Sequence, residues 1–89
     1  MRLDFFLKVS RLCQRRSVAQ QLCEAGLVLL NGRPAKASHA VKAEDELVVR
    51  IRDRRLTVRV KDIPSTRSVS KADAAGLTEI IKNEDLSES

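Results

Sequence analysis

The stretch Met1-Arg-Leu-Asp-Phe-Phe-Leu-Lys-Val-Ser-Arg-Leu-Cys-Gln-Arg-Arg-Ser-Val-Ala19 decides the fold of this chain. Leu3, Phe6 and Leu7 fall at i, i+3 and i+4, a spacing that predicts a helix over residues 2–12 with one apolar face. The stretch has a single carboxylate, Asp4. It carries five cations: Arg2, Lys8, Arg11, Arg15 and Arg16.

A second helix is predicted to begin at Ser17 and to end just before Gly26, a natural residue to follow a helix end. Ser17 and Gln20 match a capping box, in which two side chains satisfy backbone N–H groups at the helix start. Arg15 and Arg16 come just before this start, where free N–H groups and the helix dipole favour an anion. Because no acidic residue is near them in sequence, we expect a partner to supply that anion.

Short apolar runs separated by turn signals predict strands in the middle of the chain. Residues 27–30 form a short buried strand, and Asn31-Gly32 predicts a tight turn after it. Pro34 cannot donate to a sheet ladder, so the return strand should lie at an edge. Residues 46–51 and 56–61 predict a hairpin, since the second run alternates apolar and polar side chains.

The sequence after the predicted hairpin indicates a linker and a second helical region. A linker is predicted at residues 64–69, and Ser70 begins a helix-start signal for a short C-terminal helix to about residue 84. The predicted fold is therefore α+β, a two-helix hairpin packed on a small, mostly antiparallel sheet, with a short C-terminal helix. Residues 1–63 form the predicted domain, and residues 64–89 form the linker, helix and tail.

Length, composition and charge narrow the class of protein. Eighty-nine residues suit one domain, and a hydrophobic content of 43% is typical of a globular chain. The sequence has no apolar run of about eighteen residues and no signal-peptide pattern, so we expect a cytoplasmic protein. Residues 1–62 hold 14 Lys and Arg against 7 Asp and Glu, whereas residues 63–89 hold 3 against 5. A basic front portion favours polyanions, namely RNA, DNA or an anionic membrane surface.

The sequence has no pattern of an active site. Its carboxylates are scattered, His39 has no carboxylate partner in sequence, and both a Gly-rich phosphate loop and a nucleophile elbow are missing. Cys13 and Cys23 lack the close spacing of a zinc site, so we expect two buried thiols. We therefore expect no enzyme, metal or cofactor and interpret the basic helices as an RNA-binding surface. The alternative is an adaptor whose basic face meets an acidic protein.

Several blocks in order resemble the S-four RNA-binding domain. They are Arg2-Leu-Asp4, Arg15-Arg-Ser17-x-Ala19, Gly26-x-Val28-x-x-Asn31-Gly32, Lys36-x-Ser38-x-x-Val41 and Asp45-x-Leu47. The resemblance covers about residues 1–51 and implies the alpha-L motif, two packed helices followed by a small sheet, with RNA along the helical face. Some larger members of the family are pseudouridine synthases or tRNA synthetases, and this chain has no room for their catalytic domains.

The opening block and the strand Leu56-Thr-Val-Arg-Val60 are similar to the short, stand-alone members of the RqcP type, which act in bacterial ribosome quality control. This resemblance implies binding to rRNA of the large (50S) ribosomal subunit and to peptidyl-tRNA. It also implies assistance to RqcH, which adds alanine tails to stalled nascent chains. The sibling group, a ribosome-associated heat-shock protein, normally carries a longer basic tail, and a role in heat shock or ribosome assembly stays open.

The resemblance to the short members also assigns candidate site residues. Arg2 and Arg16 would be the principal contacts with rRNA and tRNA, supported by Lys8, Arg11 and Arg15. From the sequence itself, Lys36 follows the tight turn and is placed to reach a phosphate from the side of the sheet. His39, in the same segment, is expected to be an exposed loop residue. Nothing in the sequence indicates more than a monomer.

Two residues depart from the pattern of these relatives. Phe5 stands where a polar residue is usual, and we expect it either to be partly buried against the C-terminal helix or to form a surface platform for a base or a partner. Glu44 stands where Gly commonly precedes Asp45. Because a positive φ would strain a residue with a Cβ, we expect this turn to have changed type.

Overall fold

The computed structural model describes residues 1–65 and 69–87 of the chain. Within them, an antiparallel sheet has the strand order β2-β1-β3-β4-β5, and two helices pack together on it. The helices are α1 (Leu3–Val9), α2 (Arg16–Glu24) and α3 (Lys71–Ala75). The strands are β1 (Val28–Leu30), β2 (Arg33–Pro34), β3 (Glu46–Ile51), β4 (Arg54–Val60) and β5 (Thr78–Asp85). This architecture confirms the predicted α+β fold. No described helix is long and apolar enough to cross a membrane.

The core lies between the two long helices and one face of the sheet. The predicted stripe of α1, Leu3, Phe6 and Leu7, is fully buried. These side chains join one cluster with the inward-facing residues of the sheet: Val28, Leu47, Val49, Val58 and Val60. Burial of each large aliphatic or aromatic side chain contributes roughly 1.5–3 kcal/mol, so this cluster fixes where α1 lies.

Helix α1 is shorter than predicted. It ends at Val9 because Arg11 takes a left-handed conformation with φ 65°. The turn brings Cys13 back to the helix, where its N–H donates to the carbonyl of Leu7 at 2.9 Å. A helix of this length is marginal alone, and packing of its apolar face stabilises it.

Helix α2 does not use the predicted capping box. Arg15 is its N-cap, no side chain caps the start, and Ser17 lies inside the first turn. Gln20 instead donates to a carboxylate on α1. The C-terminal end is as predicted, because Gly26 has φ 74° and the N–H of Leu27 donates back into the last turn.

The Asn31-Gly32 turn is confirmed, with positive φ at both residues. The Asn31 side chain donates to the buried carboxylate of Asp45 at 3.0 Å and accepts from the Glu46 N–H at 2.8 Å. These bonds join the turn to the start of β3. Pro34 lies in the edge strand β2, as predicted.

The predicted hairpin is also confirmed, although β4 begins at Arg54 and the turn consists of residues 52–53. Val58 and Val60 are fully buried, and Arg59 between them is exposed. The alternation therefore places Arg59 on the sheet face opposite the helices.

The predicted C-terminal helix begins where expected, but its second half is wrong, because those residues form a strand. Ser70 caps a helix as predicted, since its hydroxyl accepts from the Asp73 N–H at 3.1 Å, but α3 ends at Ala75 instead of residue 84. Residues 78–85 form β5, which pairs with β4 along its length. Leu77, Ile80 and Ile81 have a spacing that also fits a helix, but β-branched residues favour a strand where a sheet edge is available. Of the predicted linker, residues 66–68 lie outside the described residues.

The expected change of turn type at Glu44 is also wrong. Glu44 keeps a positive φ of 76°, and its N–H donates to the carbonyl of Val60 at 2.8 Å. The turn therefore retains the left-handed conformation that favours glycine, with an exposed glutamate in that position.

Replacing Glu44 by glycine should raise the free energy of unfolding by about 1 kcal/mol, because glycine adopts this φ without a Cβ clash. Urea denaturation of the variant and the parent protein measures the difference. Ala43→Gly is the matched control, since Ala43 has no positive φ, and it should lower stability. A Glu44→Gly protein that unfolds at lower urea than its parent would contradict this explanation.

Candidate nucleic-acid interface

A buried carboxylate lies at the centre of the basic surface. The side chain of Asp4, on α1, has no exposed area. Its Oδ2 accepts from Arg16 Nε at 2.9 Å and from Gln20 Nε2 at 2.9 Å, both on α2. Its Oδ1 accepts from Arg2 Nε at 3.2 Å and from the Phe5 N–H at 2.8 Å. One carboxylate therefore joins the two helices and two guanidinium groups.

This arrangement corrects the expectation that a partner supplies the anion near Arg16. The chain itself supplies that anion, twelve positions earlier in sequence. The two arginines nevertheless keep much of their surface: the side chain of Arg2 is 50% exposed and that of Arg16 is 42% exposed. Arg16 binds Asp4 through Nε alone, so its two terminal nitrogens have no hydrogen bond within the described part of the chain.

Hydrogen bonding keeps Asp4 ionised. Burial raises the pKa of this carboxyl, but the bonds from Gln20, Arg16, Arg2 and the Phe5 N–H outweigh burial and lower the pKa from 3.8 to about 2. At neutral pH the cluster thus consists of one carboxylate and two guanidinium ions. The cluster therefore carries a net positive charge, and the hydrogen-bond donors it leaves for a ligand belong to the two arginines.

Phe5 lies within this surface. The Arg16 guanidinium is 5.7 Å from the centre of the ring, and the Lys8 ammonium is 5.9 Å from it. The ring is half-buried and lines a cavity of about 400 Å³ with Ile63 and Pro64. The predicted partial burial is confirmed, but the chain segment before α3, and not α3 itself, shares the cavity. Lys8 and Arg16 are therefore both near the Phe5 ring.

Lys36 follows strand β2 and lies at the edge of the same surface. It lines a cavity of about 670 Å³ together with Arg2, Gln20 and Ser38. His39 is exposed, as expected, and its backbone carbonyl accepts from the Leu3 N–H at 2.8 Å, which holds the start of α1. Arg2 is common to this cavity and to the one beside Phe5.

The other two predicted cations are placed differently. Arg15 is exposed at the N-cap of α2, one residue before Arg16. Arg11 follows the opposite end of α1 from Arg2 and lines a separate cavity with Arg52. Arg2 therefore shares one cavity with Lys36 and another with Arg16, and Lys8 and Arg16 share the Phe5 ring. Arg11 lies apart from these four cations.

Sequence reasoning missed Asp4 and Gln20 as members of the site. The signal for Asp4 was present, because it is the single acid in a strongly basic amphipathic segment. Gln20 was assigned to a cap that does not form. Asp4 holds two guanidinium groups in place, and Gln20 holds Asp4.

The cysteines add no charge to this surface, although Cys23 lines the same cavity as Lys36. Cys13 and Cys23 are free and buried, as expected. Burial raises the pKa of the Cys13 thiol to about 11 and also raises that of Cys23. Both thiols are therefore protonated at neutral pH. Among the described residues, no group of three or more His, Cys, Asp or Glu side chains is placed to hold a metal ion.

Comparison with known proteins assigns the family. Residues 1–47 match the S4 domain. The RQC P-site tRNA stabilizing factor of Halalkalibacterium halodurans is 46% identical over 89 residues, a match that covers 100% of this chain and 99% of that protein. This chain belongs to the S4-domain family of RQC P-site tRNA stabilizing factors. The factor of the same name from Bacillus subtilis is 46% identical over 88 residues, which cover 99% of this chain and 100% of that factor.

A solved structure of a similar protein shares the fold of this chain. Heat Shock Protein 15 of Vibrio cholerae, solved as a trimer, matches with a TM-score of 0.80 at 30% identity. The match covers 90% of this chain and 80% of that protein, so it extends well beyond the S4 domain at residues 1–47. The strand and helix order past that domain is thus shared with a related fold.

Replacing Asp4 by asparagine should lower stability at neutral pH, because two arginines lose their buried anion. The loss should shrink by about 2 kcal/mol between about pH 5 and pH 2. A carboxyl whose pKa falls on folding stabilises the native state above its unfolded pKa, near 4, and this contribution disappears as the pH drops through the folded value of about 2.

Urea denaturation of parent and Asp4→Asn proteins at both pH values measures this difference. A gap between the two proteins that stays constant with pH would show that the Asp4 charge does not stabilise the fold.

Proposed function

We propose that this chain stabilises P-site tRNA on the large (50S) ribosomal subunit and contacts both rRNA and peptidyl-tRNA. Arg2 and Arg16 are the principal contacts, with Lys8, Arg15 and Lys36 in support. The proposal draws on the names of the full-length relatives and on the geometry around Asp4. Arg11 is left out of this surface because it lines a different cavity.

The observation that carries the proposal is the pair of guanidinium groups held by one buried carboxylate. Arg2 is held by Asp4 through Nε and one terminal nitrogen, and Arg16 through Nε, so both guanidinium planes point in defined directions before RNA arrives. A side chain that is already ordered loses less conformational entropy on binding. Guanidinium donates in pairs to phosphate oxygens and stays charged at every physiological pH.

The mode of recognition follows from the shape of RNA. The deep, narrow major groove of an RNA duplex hides the base edges, so a rigid protein contacts phosphates and 2′-hydroxyls instead. The Asp4 surface offers cations at fixed positions and one half-buried ring, Phe5, beside them. We therefore infer shape and phosphate recognition, with Phe5 next to the principal contact.

The role is positioning without chemistry. The buried thiols are protonated, and the one buried carboxylate of the surface is fully occupied by its donors. In this proposal the chain holds tRNA in the cytoplasm while RqcH, bound to the same subunit, extends the stalled nascent chain.

A heat-shock role like that of the Vibrio protein is the weaker candidate, since this chain is 30% identical to that protein and 46% identical to the stabilizing factors.

Replacing Arg16 by alanine should weaken binding to purified large subunits that carry peptidyl-tRNA. The slope of log affinity against log salt should become flatter by about 0.7 to 0.9, the value for one phosphate contact. A fluorescently labelled full chain, titrated with these subunits at several salt concentrations, provides the measurement. Arg16→Gln keeps a donor toward Asp4 and serves as the second variant, should alanine at this position impair folding.

Arg59→Ala is the matched control, because it removes an exposed arginine from the sheet face opposite the helices. It should leave the salt slope within error. An unchanged slope for both Arg16 variants, or an equal change for Arg59→Ala, would remove the Asp4 surface from the ribosome interface.

A further inference from the structure

A second basic surface lies at the other end of helix α1. Arg11, just past the end of α1, and Arg52, in the turn between β3 and β4, line one cavity of about 590 Å³. The rest of the lining is mostly apolar, with Gln14 as its one uncharged polar side chain. The apolar members come from the turn after α1, from α2 and from the end of β3: Leu12, Cys13, Val18, Leu22 and Ile51.

The two arginines of this cavity lack protein partners. Neither side chain forms an ion pair or hydrogen bond within the described part of the chain, and no described acidic residue lines the cavity. Both residues also sit on left-handed backbone, with φ 65° at Arg11 and 55° at Arg52. Within the described residues, the fold thus presents two guanidinium groups without protein partners at one mostly apolar cavity.

The lining fits an aliphatic ligand better than a nucleobase. Single-stranded bases bind largely by stacking on aromatic faces. The chain has two aromatic residues: Phe6 is fully buried in the core, and Phe5 lies beside Arg16. The cavity at Arg11 therefore has no aromatic face. Val18 is 40% exposed within it, so an apolar side chain seated there would remove aliphatic surface from water.

We propose that the Arg11–Arg52 cavity docks an acidic segment of a partner protein. A leucine or isoleucine of that segment packs on Val18, Leu22 and Ile51, and carboxylates on either side of it pair with Arg11 and Arg52. Charge complementarity selects this partner, because guanidinium groups that form no ion pair within the described chain can form strong paired hydrogen bonds with carboxylates. Arginine beside a desolvated apolar centre is also typical of the residues that dominate protein interfaces.

The position of the cavity allows protein and RNA to bind together. Helix α1 has seven residues and is therefore about 10 Å long, with Arg2 at its start and Arg11 beyond its end. A segment docked at Arg11 would leave the Asp4 surface open. The docking proposal does not depend on what the Asp4 surface binds.

A short fluorescein-labelled peptide of alternating leucine and glutamate is the probe. It is titrated with the full chain and followed by fluorescence polarisation. The test variant combines Arg11→Asn with Arg52→Asn, since asparagine tolerates left-handed backbone and should preserve both turns. We expect the double variant to bind the peptide at least about tenfold more weakly than the parent, and Val18→Asp to bind it more weakly as well.

Arg59→Asn is the control for loss of one surface cation, and it should change peptide affinity by less than about twofold. Amide shifts of the isotope-labelled parent chain should map the peptide to residues around Val18 and Arg52. No binding to the parent, equal binding to the double variant, or shifts centred on Asp4 would overturn the proposal. A double variant that instead loses affinity for RNA, and loses more than Arg59→Asn does, would make the cavity an RNA subsite and also overturn it.

Discussion

The structure depends on one buried, ionised carboxylate, that of Asp4. A buried, ionised carboxylate is costly unless charged and polar donors surround it, and Asp4 has four such donors. Two of the donor side chains, Arg16 and Gln20, come from α2, whereas the carboxylate belongs to α1. The cost of leaving Asp4 unpaired therefore holds the two helices in one relative position. The same constraint orients the guanidinium groups that we assign to RNA, so fold and proposed function share one interaction.

Part of the remaining positive charge is neutralised on the sheet. On the sheet, the acidic C-terminal segment is paired with the hairpin: Glu84 accepts from Arg55 through both carboxylate oxygens at 3.0 Å, and Asn83 accepts from Arg54 at 3.3 Å. These exposed pairs contribute little stability each, but they match strand β5 to β4. They also offset part of the positive charge of the hairpin. Other cations have no such acid: within the described residues Arg59 makes no ion pair on the sheet, and neither do Arg11 and Arg52 at their cavity.

Local patterns predicted most of the elements well. The Leu3, Phe6 and Leu7 stripe, the Asn31-Gly32 turn and the alternation in β4 each depend on neighbours within a few residues, and all three are present in the structure. Two of the errors arose where a distant residue decided the outcome. Residues 78–85 carry a spacing that fits a helix or a strand, and pairing with β4 selects the strand. Gln20 has the spacing of a capping residue, but Asp4 is the better acceptor because it is charged and buried.

The amino-acid sequence alone was sufficient for the fold class, the basic character of the front portion, the membership of the S-four family and the candidate cations. All of these follow from composition, short-range periodicity or ordered motifs. The tertiary structure alone determined that Asp4 binds Arg2 and Arg16, that Lys36 shares a cavity with Arg2, and that Arg11 is grouped with Arg52. Each of these facts is a distance between residues from separate elements. Such distances are set by how α1, α2 and the sheet pack around one core, which no local pattern encodes.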